Sequence, residues 1–125
     1  STTKDYESNI YILYYFDKVM EKSLLLQLTG EMPLFKTIDF LIENKGFDLS
    51  KKDIIEGANI SRAALFKYWP ELEKNNLVKI TRKFGKTKLY TLNNDSLIVK
   101  RILDLEKVLI SQALEKASKK ELIIR

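Results

Sequence analysis

The sequence predicts a mainly helical chain carrying one small β-hairpin. Apolar residues recur at helical spacing over most of the 125 residues. One stretch, 78–83, alternates instead. The few glycines (four) and prolines (two) act as punctuation.

Residues 6–28 hold no Gly or Pro, and Tyr6, Ile10, Leu13, Tyr14, Met20, Leu24 and Leu28 fit one helical face. The run Ile10–Phe16 is apolar on every side, the mark of a buried or interfacial helix. Two strands are the alternative, because Tyr, Ile and Phe favour sheet. Gly30 ends the segment. Pro33 opens the next helix, where its missing N–H costs nothing. Leu34, Ile38, Leu41 and Ile42 form its stripe, and Asn44-Lys45-Gly46 stops it.

Ser50-Lys51-Lys52-Asp53 reads as a capping box with Asp in place of Glu, starting a short helix over 51–58. Gly57-Ala58-Asn59-Ile60 makes a tight turn. Ser61 then caps a helix over 62–75 whose inward face is Leu65, Trp69 and Leu72. Pro70 lies inside it and is expected to kink or break it near Tyr68-Trp69. Val78, Ile80 and Arg82 alternate with Lys79, Thr81 and Lys83. A turn at Phe84-Gly85-Lys86-Thr87 and a strand from Lys88 to Leu92 complete a hairpin with a basic tip. Asn93-Asn94-Asp95-Ser96 caps a final helix over 96–121, with Ile98, Ile102, Leu105, Leu109 and Ala113 as its stripe.

Short helix, tight turn, helix, hairpin is the winged helix-turn-helix order. The fold class expected is therefore a winged helix flanked by N- and C-terminal dimerisation helices. In such a unit the second helix of the pair lies in the DNA major groove with its N-terminal residues near base edges. The hairpin reaches the neighbouring backbone or minor groove. Arg62 is the first candidate for a base contact, since Arg pairs bidentately with guanine, and Ala63 and Phe66 can meet thymine methyls. Lys67 suits a phosphate. Phe84 is a candidate minor-groove wedge.

Charge agrees with this reading. Net charge is +5, and residues 61–88 carry eight basic side chains against two acidic ones, so this stretch holds +6 and the remainder −1. The hairpin's Arg82, Lys83, Lys86 and Lys88 suit phosphate neutralisation.

Composition removes much chemistry. There is no cysteine and no histidine, which excludes disulfides, thiolate nucleophiles, imidazole bases and Cys or His metal sites. Glu43, Asp48 and Asp53 are scattered near helix ends, and no phosphate-binding glycine loop occurs. No enzyme, cofactor or metal is expected. The start Ser1-Thr2-Thr3-Lys4-Asp5 shows no secretory signal. No apolar run reaches the roughly 18 residues of a membrane span. The expectation is a cytoplasmic, nucleoid-associated protein.

Ser61-Arg62-Ala63-Ala64-Leu65-Phe66-Lys67-Tyr68-Trp69-Pro70-Glu71-Leu72-Glu73 with Leu77-Val78, then Arg82, Gly85, Leu89-Tyr90-Thr91-Leu92-Asn93, Asp95-Ser96 and Val99, resembles small archaeal winged-helix transcriptional regulators. The resemblance covers about residues 32–110. It implies DNA binding through Ser61, Arg62, Lys67 and the Arg82–Lys88 wing, a regulatory role, and often a dimer. Asn76 stands where Gly is usual, tolerable in a left-handed conformation. Leu97 stands where Pro is frequent.

Three segments are expected: 1–30 as an N-terminal dimerisation segment, 31–95 as the DNA-binding domain and 96–125 as a C-terminal dimerisation helix. Ile10, Leu13, Tyr14, Ile102, Leu105 and Leu109 are the candidate dimer contacts, because so much apolar surface is costly to leave wet. The partners expected are double-stranded DNA and a second copy. A sequence-tolerant DNA-coating protein and a protein-interaction module are the competing readings. A small-molecule effector could fit between the terminal helices, lined by Tyr11, Tyr14, Tyr15 and Phe16.

Overall fold

The computed structural model describes residues 23–124, with side chains through Lys120. Five helices and one hairpin follow in order: α1 (Leu24–Thr29), α2 (Pro33–Glu43), α3 (Lys51–Ala58), α4 (Arg62–Lys74), β1 (Val78–Phe84), β2 (Thr87–Leu92) and α5 (Leu97–Ile124). The run α2-α3-α4-β1-β2 is a winged helix-turn-helix.

The caps fall where local chemistry demands them. Ser23 is non-helical, and its hydroxyl accepts from the Leu26 N–H at 3.1 Å. The expected segment 6–28 is therefore interrupted at Ser23, because a serine that caps a helix start cannot also continue a helix. The rest of that segment, Ile10, Leu13 and Tyr14 included, lies outside the described residues. Pro33 occupies the first turn of α2. Ser50 and Asp53 form the reciprocal capping box of α3. Ser61 Oγ accepts from the Ala64 N–H at 3.0 Å to start α4.

Between α3 and α4, Asn59 takes the left-handed conformation (φ 54), and its carbonyl accepts from Lys36 Nζ at 2.8 Å. Asn76 is left-handed too (φ 54), so the departure from Gly is accommodated. α4 runs unbroken through Pro70 to Lys74. Of the kink or break expected there, the break does not occur. Proline removes only one helical bond, the one to the Phe66 carbonyl, while Leu65, Trp69 and Leu72 on either side of it are buried in the core.

The core joins α1, α2, α3, α4, the hairpin base and the start of α5, around Leu41, Ile54, Leu65, Trp69, Leu72, Tyr90, Leu92 and Val99. Only the base of the hairpin enters it. Val78 is buried, but every later residue of β1 is exposed, Ile80 at 45% included. The expected alternation fails at a bulge. Ile80 pairs with Tyr90 and Arg82 with Leu89, leaving Thr81 as the extra residue. At the tip the loop Gly85-Lys86 has positive φ only at Gly85 (φ 57), the pattern of a II′ turn.

The inward face of α5 keeps Ile102 and Ala113 of the expected stripe but not Ile98 or Leu105. Val99 (1% exposed), Ala113 and Ala117 are buried, and Ile102 and Leu103 pack on the core. Ile98 (46%) and Leu105 (38%) face outward. Ile98 and Val99 are both apolar, so spacing alone left the helix free to turn by one residue. Among the described residues, no helix is long and apolar enough to cross a membrane.

Candidate nucleic-acid interface

The wing and the N-terminal ends of α3 and α4 enclose one open cleft of about 500 Å³, lined by Ser50, Lys51, Lys52, Ile55, Arg62, Phe66, Lys86, Thr87, Lys88 and Tyr90. A single backbone pairing builds it. Leu49 exchanges hydrogen bonds with Tyr90 at 2.8 and 2.7 Å, which ties the residue before the α3 cap to β2. The first turn of α3 is thereby held against the wing, and α4 follows on the far side of the Asn59 turn.

Among the described residues, five basic side chains line this cleft and no acidic one does. Three of them, Lys51, Lys52 and Arg62, sit in the first turns of helices. The positive end of the helix dipole disfavours cations there, so the arrangement works against the stability of the isolated fold. The wing adds a second conflict of the same sign: Lys83 lies opposite Lys88 in register, and like charges across a hairpin repel. An anion in the cleft would offset the first conflict.

Aromatic rings flank two of these cations. Lys51 Nζ lies 5.3 Å from the Phe66 ring centroid, 5.0 Å from Trp69 and 5.7 Å from Tyr90. The Arg62 guanidinium lies 5.2 Å from the same Phe66 ring. Trp69 and Tyr90 meet edge to face at 4.7 Å. Burial, with Glu73 nearby, raises the Tyr90 hydroxyl above its ordinary pKa and keeps it neutral.

Of the residues singled out from the sequence, Arg62, Phe66, Lys86 and Lys88 converge on the cleft. Ser61 acts as the α4 cap. Ala63, Lys67 and Lys83 are exposed but lie outside its lining. Lys67 Nζ sits 5.4 Å from the Tyr68 ring. Arg82 is engaged elsewhere: its Nε and Nη2 donate to the two Asp48 carboxylate oxygens at 2.7 and 3.0 Å. The bulged Thr81 adds a hydroxyl bond to Asp48 at 3.0 Å. Hydrogen bonding from Arg82 is the main reason the Asp48 carboxyl falls below its ordinary pKa. Phe84 at the tip is 58% exposed, with the Arg82 guanidinium 5.4 Å from its ring.

Lys51 and Lys52 were missed because their segment reads as a helix cap. The available signal was the conflict itself, two lysines in a first turn that favours acids.

A second concavity, about 250 Å³, lies between α1, α2 and α5 and has the opposite character. Asp39, Glu43 and Glu106 line it with Ser23, Leu24, Leu25 and Ile110. Among the described residues, the buried Glu106 Oε2 has no hydrogen-bond partner. Burial foremost, then Asp39, raises the pKa of both Glu43 and Glu106. The tyrosines expected to line an effector groove lie outside the described residues. Of the candidate dimer contacts on α5, Ile102 packs against the core, Leu105 is exposed and Leu109 is half-buried.

No protein-family model and no curated protein matches the chain. Solved structures do. A transcriptional regulator, PA4135, is 12% identical, with 95% of this chain and 82% of that one covered at a TM-score of 0.55. Sso10a-2, a DNA-binding protein from Sulfolobus solfataricus, is 22% identical, with coverage of 76% and 95% and a TM-score of 0.47. BpsR of Bordetella bronchiseptica, whose DNA binding is regulated by 6-hydroxynicotinic acid, is 13% identical, with coverage of 92% and 83% and a TM-score of 0.47. The likeness to PA4135 is one of fold.

Proposed function

We propose that a winged helix with a cationic cleft makes this chain a DNA-binding transcriptional regulator that acts as a dimer. The observation that carries the reading is the convergence of Lys51, Lys52, Arg62, Lys86 and Lys88 on one cleft from three separate elements. Polyanion binding offsets their mutual repulsion and releases counterions, which makes affinity salt-dependent. α4 lies in the major groove with Arg62 at its leading end, where bidentate pairing to guanine supplies sequence choice. The wing follows the adjoining backbone through Lys86 and Lys88. Arg82, engaged on Asp48, braces the wing.

Residues 31–95 form the DNA-binding domain, and 1–30 and 96–125 form the dimerisation segments. The outer face of α5 exposes Ile98, Leu105 and Val108. A second copy packed along it would bury them and set two α4 helices on half-sites about one helical turn, roughly 34 Å, apart.

Fluorescence anisotropy with labelled duplexes tests this. Arg62→Ala loses about 1–3 kcal/mol of discrimination at one base position. Lys86→Ala weakens all sequences alike and reduces the slope of log K against log salt by about 0.9. Equal competition by random duplex replaces the regulator with a DNA-coating protein. Absence of binding to any duplex at low salt overturns the reading altogether.

A further inference from the structure

We propose that Lys51 is a phosphate contact of the cleft and that Phe66 is the positioning residue that presents Lys51 and Arg62 together. The inference rests on the DNA-binding reading and deepens it, assigning Lys51 to a phosphate and giving Phe66 a role other than reading a thymine methyl.

Lys51 is the first residue of α3 and is half-buried, whereas Lys52 beside it is exposed. A lysine ordinarily moves freely in solvent, and ordering its side chain costs rotamer entropy. Here the ammonium is ringed by Phe66, Trp69 and Tyr90, all within 5.7 Å. Each ring attracts the cation. Among the described residues Lys51 has no acidic partner in an ion pair. Its charge is therefore held in place without being neutralised, unlike that of Arg82.

Trp69 and Tyr90 are core residues, 3% and 5% exposed, whose places follow from packing. Phe66 is different. It is 46% exposed on the leading half of α4, and burial alone gives little reason for a large apolar ring there. It also carries Arg62 at 5.2 Å. One ring thus links two cations from two helices, both lining the same cleft. Pre-ordering both before association lowers the entropy cost that each would otherwise meet on binding.

Binding of a random-sequence duplex is measured across a salt series for wild type, Lys51→Gln, Phe66→Leu, Phe66→Tyr and the Lys51→Gln/Phe66→Leu pair. Urea unfolding checks each variant. Loss of one phosphate contact lowers the salt slope by about 0.9, about eightfold in affinity at 0.1 M salt relative to 1 M. That is the result expected for Lys51→Gln. Phe66→Leu keeps an apolar side chain without a π face and weakens binding about fivefold, while Phe66→Tyr stays within about twofold of wild type. Lys51→Gln costs less in the Phe66→Leu background than in wild type, a coupling that a purely structural role for Phe66 would not produce.

A wild type that binds while Lys51→Gln matches it in affinity and slope overturns the contact and leaves the DNA-binding reading standing. A loss with Lys51→Gln but none with Phe66→Leu overturns the role given to Phe66. A wild type that binds no duplex overturns the underlying reading instead.

Discussion

Replacing Gly57 by alanine tests how α3, and with it the cleft, is seated on α2. In an ordinary helix interior alanine is favoured over glycine by up to about 1 kcal/mol. At Gly57 a Cβ would fall on the Phe40 ring, colliding with Cζ and Cε1 and meeting Cε2 at 2.8 Å. Carbon atoms rest at about 3.5–4.0 Å, so the ring must retreat by more than an ångström from where it packs against the core. Overpacking of this kind costs about 1–3 kcal/mol. With the propensity gain subtracted, Gly57→Ala is expected to destabilise by about 1 kcal/mol. Phe40→Leu removes the colliding atoms, and in that background the same substitution is expected to stabilise by up to about 1 kcal/mol. The sign reversal is a coupling of about 2 kcal/mol, within the range for residues in contact. Urea unfolding at one fixed protein concentration measures it. Equal effects of Gly57→Ala in both backgrounds would refute the packing argument.

Two further outcomes follow from the charges. Arg82→Ala should return the Asp48 carboxyl, followed by NMR, toward its ordinary value of 3.8, while leaving the salt slope of DNA binding unchanged. Because the Asp48 pKa is lowered on folding, its contribution to stability is present above 3.8 and is lost as pH falls through the lowered value. A slope that drops as expected for Lys86→Ala would show Arg82 on phosphate. Glu106→Gln removes a buried charge whose pKa is raised. The native glutamate loses stability as pH rises from 4.5 through its folded pKa. The variant should therefore be more stable at neutral pH, and the gap should close below pH 4.5. A difference that is constant with pH would locate the effect elsewhere.

Helix limits and caps were legible in the chain because they are decided within a few residues. Ser50 with Asp53, Ser61, Pro33 and Gly30 act on their own neighbours, and each stands where the structure uses it. The concentration of charge in 61–88 was legible for the same reason. What sequence could not decide was which of several chemically adequate choices the packed chain would take. Apolar spacing allowed α5 to present Ile98 or Val99, and core contacts chose Val99. Arg82 and Lys86 look alike in sequence. Asp48, 34 residues away, engages Arg82 and leaves Lys86 facing the cleft. Lys51 became part of the site only when the pairing of Leu49 with Tyr90 drew the start of α3 to the wing. Local rules determine where elements begin and end, but a charge becomes a contact or a brace according to what the fold sets beside it, and that depends on residues far apart in the chain.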